Sequence, residues 1–580
     1  MAVLPRSGSA GPWLGQWWRS APHPDAALEM PWRWLQGGLL LLPFSITLGG
    51  LGCGIALGWG TRSLGRRLWA RPHNWGWLAL ALGLGLTASL GEDPGVAWVG
   101  LANFVPCFWF FAVTRELVRD PAQLRRLAWI QVLSAGAIGV IGLLPLVGWF
   151  AGPVNLSIFI QWPLELGGTP PGRMAGVFAY ANVLASYFTV TLALGLGLWL
   201  EAWQRWQHQR LTSTPLIPTG LIPTRLIPTG LIPTRLIPTT KGAGTKGAGT
   251  KGAGTKGAGT AEISPPLPWA LNPTQTLALL SLVLLIQGVG LGLTQSRNAW
   301  GVGLLLGLIY GIRLGWYQGV AALVAALATV LWAAFGSVGQ RLAQGVVPRM
   351  VWARLNDQLY GDRPVADLRI SQWRFAWAMT CDRPWTGWGL RNFTPLYEAA
   401  TDHWLGHPHN LLLMLTAETG IPVTLGFLGL VGWILGRGVM QWRTLVPGKR
   451  GSRGLGTQPR DRGGQNAAAQ PETATDTATH TEPDAGTDIE PDTEPNTEPN
   501  TEPDTEPDTG TNTGTQTEPD TGAEILLTYL LAFGGCVLFN GLDITLFDYR
   551  INLINWLLLA AIAGFRPKKP WGIINRATDP

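Results

Sequence analysis

Three stretches of this chain hold side chains that could do chemistry. One is GHPHNLLLMLTAETGIP at 406–422, where His407, His409 and Asn410 precede an apolar run containing a single carboxylate, Glu418. Histidine titrates near working pH, so it can take a proton from an attacking hydroxyl or, once protonated, hold an anion. The other two stretches are GRMAGVFAYAN (172–182) and TQSRNAWGVG (294–303), which carry Arg173 and Arg297 at the edges of apolar segments. Arginine is planar, permanently charged and rich in donors, which suits it to gripping phosphate oxygens in pairs. Each stretch also has a plainer account. Arginines at a membrane boundary snorkel or pair with carboxylates. HPHN can be a polar helix start, with Pro408 at an early helical position and Asn410 near the cap. His407 and His409, even with His403 upstream, match no zinc spacing, so no metal is expected.

The elements that must position these residues follow from composition. Of 580 residues, 47% are hydrophobic and only 13% charged, about half the charged fraction of a soluble domain. The apolar residues fall in runs long enough to cross about 30 Å of hydrocarbon as helix, and Trp residues often stand at their ends, as in an interfacial belt. This predicts an all-α polytopic membrane protein of about 12 transmembrane helices. The candidate spans are 35–60, 75–91, 96–114, 127–150, 174–200, 273–293, 299–313, 318–336, 409–437, 524–540 and 550–566. Basic residues on both sides of 35–60 require that run to return to its own face, which suggests a tight hairpin around Gly49, Gly50 and Gly52. The net charge of +6 does not indicate nucleic acid, because the positive residues lie in loops where the positive-inside rule accounts for them. Cys53, Cys107, Cys381 and Cys536 are far apart and form no CxxC pair, so neither a disulfide framework nor a zinc site is indicated.

The same charge rule gives an orientation with both termini cytoplasmic. The chain divides into a cytoplasmic start (1–34), an N-terminal bundle (35–200), a basic low-complexity insert (201–268) and central helices (269–336). An outer segment (337–408), a transmembrane helix (409–438), an acidic low-complexity insert (439–522), C-terminal helices (523–566) and a tail (567–580) complete it. The LIPTG/LIPTR and KGAGT repeats of the first insert and the TEPDTEPN tract of the second are Pro-, Gly- or acid-rich and poor in apolar side chains, which predicts disorder. Arg173, Arg297 and the whole 337–408 segment face outward on this reading. Outer arginines run against the charge rule, and that favours a use for them. Ile370, Trp373 and Trp377 recur at helical spacing, so a short amphipathic helix is expected before the DRPWTGWGLRNF turn.

HPHNLLLMLTAETGIPVTLGFLGL (407–430) resembles the signature of the O-antigen ligase and polymerase family, in which a His-Asn pair precedes an apolar helix with a Glu-x-Gly break. MTCDRPWTGWGLRNF (379–393), RMAGVFAYAN (173–182) and TQSRNAWGVG resemble that family's other motifs, in the same order. Pro422 departs from the pattern, standing where a second glycine is more usual. The resemblance implies a GT-C-like helical membrane fold in the bacterial inner membrane and a transfer of glycan from an undecaprenyl-diphosphate carrier to an acceptor hydroxyl, on a glycolipid or saccharide. It further implies that Arg173 and Arg297 bind the diphosphate and that His409, with His407 nearby, works at the transfer site. Read from their positions rather than from the resemblance, Asn410 at the helix start, Arg391 in the 337–408 segment and Glu418, more than two helical turns beyond His409, are expected to support the site rather than act in it. No metal or cofactor is expected. A ligase and a polymerase share this donor site and are not separated by sequence. A solute transporter, of inorganic carbon for example, would place its charged residues near the bilayer midplane instead.

Overall fold

Capping residues start the helices at the edges of the apolar runs. The computed structural model describes residues 22–149, 152–156, 159–213, 271–356, 358, 364–446 and 522–567. The repeat tract at 216–260, the acidic insert from 447 to 521, the first 21 residues and residues 568–580 lie outside the described residues, and with them the expectation of disorder there. The N-terminal half supplies α1 (Glu29–Leu41), α2 (Ile46–Leu64), α3 (Pro72–Ser89), α4 (Val105–Leu117), α5 (Pro121–Leu146) and α6 (Ala181–Ser213). Then come α7 (Pro273–Leu293), α8 (Arg297–Arg313) and α9 (Tyr317–Phe335). Segment 337–408 contributes α10 (Arg369–Asp382) and α11 (Phe393–Thr401), and α12 (Leu411–Leu445), α13 (Ala523–Asn540) and α14 (Tyr549–Gly564) follow. Two helices begin with the same device. Asp120-Pro-Ala-Gln and Asn272-Pro-Thr-Gln each form a capping box, with proline in the first turn of α5 and α7.

Among the described residues, seven helices are long and apolar enough to cross a membrane: Pro94–Leu117 (which ends in α4), α5, most of α6, α7, α9, α12 and α13. The expected spans at 35–60, 75–91, 299–313 and 550–566 are helical but are shorter or less apolar than these. The hairpin within 35–60 exists, but its turn is at Leu42–Ser45, where Ser45 caps α2 through Leu48. Gly49 and Gly52 lie inside α2 instead. A Cβ on Gly49 would meet Leu42 Cα at 2.2 Å, and one on Gly52 would meet Gly38 Cα at 2.7 Å. These glycines let α1 and α2 touch, a packing use that a turn signal does not distinguish.

α6 runs through the bundle against α5, α7, α8 and α13, while α12 packs on α3, α13 and α14. Trp77, Phe108, Phe111, Phe427 and Trp556 join α3, α4, α12 and α14 in one aromatic cluster. The expected start of α6 at 174 moves to Ala181, so residues 173–180 form an irregular rim that carries Arg173. A two-stranded hairpin, β1 (Val154–Leu156) with β2 (Ile160–Trp162), precedes that rim.

Candidate active site

The HPHN stretch ends where α12 starts. Asn410 is its N-cap, accepting from Leu413 N at 3.0 Å, and its amide donates to Gly541 O at 3.0 Å. Pro408 therefore lies outside the helix rather than at an early helical position. The Gly541 contact ties this helix start to the α13–α14 turn, GLDITLFD (541–548), and that turn supplies Asp543. Asp543 is buried. Its Oδ1 accepts from His409 Nδ1 at 2.9 Å and from Ile544 N at 2.9 Å, and His407 Nε2 stands 4.0 Å away. Its Oδ2 accepts from Asn182 Nδ2 at 2.6 Å. Asn182 Oδ1 in turn accepts from Arg173 Nη2, and Arg173 Nε donates to Thr294 O at 2.7 Å. One hydrogen-bonded chain thus runs from Arg173 through Asn182 and Asp543 to His409.

Neighbouring contacts fix each member. Met174 N donates to Leu293 O and Gln295 Nε2 to Gly172 O, which lays the Arg173 rim against the turn before α8. Arg550 grips Asp548 through Nε and Nη2 and also donates to Val177 O, clamping the same rim onto the α13–α14 turn. Arg297, in the first turn of α8, donates to Arg354 O at 3.0 Å, and Arg354 Nε returns to Gln295 O at 2.9 Å. Phe547 stacks on His407 with centroids 5.8 Å apart and lies 5.9 Å from the Arg391 guanidinium. Among the described residues, four non-glycines have positive φ: Gln295, Arg391, Asp402 and His409. Two of these lie at Asp543 or its turn, His409 on Asp543 and Arg391 beside Phe547, and each conformation costs about 1–2 kcal/mol.

Glu418 is placed differently. α12 breaks at Gly420 (φ 75°, ψ 167°), so the helix is not continuous beyond Glu418. The 383–393 loop fills the break. Trp388 N donates to Ala417 O at 2.9 Å, Gly389 N to Glu418 O at 2.8 Å, and Ile421 N to Pro384 O at 2.8 Å. These bonds satisfy backbone groups that the break would otherwise strand. The buried Glu418 carboxylate accepts from Phe393 N at 3.3 Å. It therefore holds the loop that carries Arg391, and Pro422 sits just past the break, where a missing N–H costs nothing.

Electrostatics assign protons within the cluster. Burial alone would raise Asp543, but the His409 hydrogen bond and the two imidazoles hold it below the usual carboxylate range. An ionised carboxylate only accepts, so His409 Nδ1 carries a proton, and Nε2 is the ring atom that bears the lone pair whenever the imidazole is neutral. Burial, and then His409, push His407 down to about 4, so it is neutral at pH 7 and cannot serve as a cationic anion holder. The folded value lies below the unfolded one of about 6.5, so the unfolded chain binds more protons between these limits. Stability should fall as pH drops through that window, by up to about 1.4 kcal/mol per unit. Thermal unfolding in detergent should show this loss, and a His407→Gln variant should show less of it.

His407, His409 and Asp543 also place three ligand-type atoms within 4.8 Å of one another, a set that could hold a metal ion, although none was expected from spacing. Asp543 was missed because the cluster is assembled across the fold. The available signal was a pair of carboxylates, Asp543 and Asp548, in a short turn between two apolar spans. Asn182 was visible only as a polar residue near the start of α6.

Residues 280–428 match the family model described as O-antigen ligase, the family that the motifs resemble. The matched segment takes in Arg297, Arg391, His407, His409 and Glu418, while Arg173, Asn182 and Asp543 lie outside it. No curated protein matches the chain. The chain is thus a multi-pass helical membrane protein carrying an O-antigen ligase-type segment.

Proposed function

We propose that this O-antigen ligase-type protein is a glycosyltransferase that moves a glycan from an undecaprenyl-diphosphate carrier to an acceptor hydroxyl at the outer face of the bacterial inner membrane. The observation that carries this is the chain Arg173–Asn182–Asp543–His409, which couples an arginine to an oriented imidazole. In this reading His409 Nε2 takes the proton of the acceptor hydroxyl. The acceptor oxygen bonds to the anomeric carbon as the bond from that carbon to the diphosphate oxygen breaks, and the lipid diphosphate leaves with its electrons. No protein nucleophile is invoked, so the configuration inverts. Arg173 and Arg297 stabilise the charge growing on the leaving group. Because Arg173 also bonds Asn182, diphosphate arriving at Arg173 would be felt at Asp543.

Arg173→Ala and Arg297→Ala should each lower transfer by about 10²- to 10³-fold, the usual cost of one removed charge-stabilising donor. Surface glycan followed by gel ladder in a deletion background measures it. Normal ladders with both variants at normal membrane levels would rule the donor assignment out. The deletion itself separates the two transferase types. Full-length glycan accumulating on its carrier identifies a ligase, and single repeat units identify a polymerase.

A further inference from the structure

The membrane face opposite His409 carries an arginine cluster that the transfer reaction does not use. α12 starts beside His409, and Arg437 lies about 40 Å of helix further along. Around that far end gather Arg67, Arg71 (before α3), Arg115 (last turn of α4), Arg119 and Arg566 (after α14). At the centre is Glu116, almost fully buried, which pairs with Arg71 at 3.0 Å, Arg115 at 3.5 Å and Arg119. Arg67 pairs with Asp25 at 3.4 Å. Six guanidiniums thus face two carboxylates. Burial first, and then the charges of Arg566, Arg71, Arg115 and Arg67, push Arg119 down to about 10.

The positive-inside rule explains arginines in loops on this face. It does not require that Arg71, Arg115 and Arg119, from before α3, the end of α4 and the loop after it, converge on one buried carboxylate. Aromatic side chains frame the cluster. The exposed Trp69 and Trp75 lie 5.5 Å apart, and Trp433 stacks on His73 and has the Arg437 guanidinium 5.5 Å from its ring centroid. Trp at this depth marks the headgroup level of a bilayer. Basic pockets between helix ends on such a face suit lipid phosphates.

We propose that this cluster binds the phosphodiester of an anionic phospholipid in the leaflet opposite the transfer site. Arg71, Arg119 and Arg437 would take the phosphate oxygens, and the three Trp rings would pack against the glycerol and upper acyl chain. The proposal is independent of glycan transfer.

The test uses the full chain purified in zwitterionic detergent, with phosphatidylglycerol, phosphatidylcholine or inorganic phosphate added. Native mass spectrometry counts retained lipid, and thermal unfolding reports the fold. Phosphatidylglycerol should be retained well above phosphatidylcholine, the preference should shrink at high salt, and inorganic phosphate should give no comparable stabilisation. R71Q/R437Q should weaken retention about fivefold for each arginine lost. If that double variant unfolds, R437Q alone leaves the Glu116 ion pairs intact and carries the test. Equal retention of both lipids, undiminished preference in the variant, or equal stabilisation by inorganic phosphate would overturn the proposal.

Discussion

His409→Ala and Asp543→Asn should both lose glycan transfer by about 10²- to 10⁴-fold, the range spanned by a positioned general base, while membrane levels stay normal. For His409 the loss is of the group that would take the proton. For Asp543 the reason is tautomeric. The ionised carboxylate holds the imidazole proton on Nδ1, 2.9 Å away, and so keeps the lone pair on Nε2. An amide at 543 can turn its NH₂ toward Nδ1, which favours the tautomer with the proton on the wrong nitrogen. The variant keeps size and shape, so folding should survive, and Asn182 can still bond the remaining carbonyl or amide. A graded series sharpens this. Asn182→Ala removes the link to Arg173 but leaves His409 on Asp543, so its effect should fall between wild type and Asp543→Asn. Near-normal ladders from Asp543→Asn, with His409→Ala inactive, would mean that His409 needs no orienting carboxylate. Near-normal ladders from both would remove the cluster from the reaction altogether.

How much of this was legible beforehand differs residue by residue. The apolar runs announced the helices because lipid forces backbone groups to bond within each segment. Charge in the loops then grouped Arg173, Arg297 and the HPHN stretch, and Arg173 and His409 do meet, through Asn182 and Asp543. Asp543 itself was hidden, since no local pattern tells that one turn will lie under a helix start from a distant part of the chain. Gly49 and Gly52 were misjudged for a related reason. A glycine permits both a turn and a close helix contact, and only the partner helix decides between them. Glu418 shows the reverse case. The Glu-x-Gly pattern signalled a break, but the 383–393 loop that fills it could be identified only once both segments were in place.

That filled break makes the second large prediction, for Gly387→Ala. Gly387 has φ +65°, and a Cβ there would stand 2.4 Å from Glu418 C and 2.6 Å from Gly420 N. The neighbouring atoms are backbone at a helix break and cannot swing aside as a side chain end would. The loop must lift, and Ala417 O, Glu418 O and Ile421 N would lose their partners together. Each stranded buried group costs about 1–3 kcal/mol, and the left-handed backbone adds about 1–2 kcal/mol for any residue with a Cβ. Several kcal/mol is a large share of what holds a domain folded, so the 383–393 loop and the helices beside it should detach locally even if the bundle stays intact. Limited proteolysis should then cut between α10 and α12 in Gly387→Ala and spare the wild type. Transfer should fall as well, because Arg391 and the start of α12 depend on the same loop. Gly345→Ala is the control: it sits in the short helix Gln340–Val346 with no atom within 4 Å of its added Cβ, and should behave as wild type. If Gly387→Ala matches that control in proteolysis and unfolding temperature, the loop does not hold the break closed, and Glu418 must be buried for some other reason.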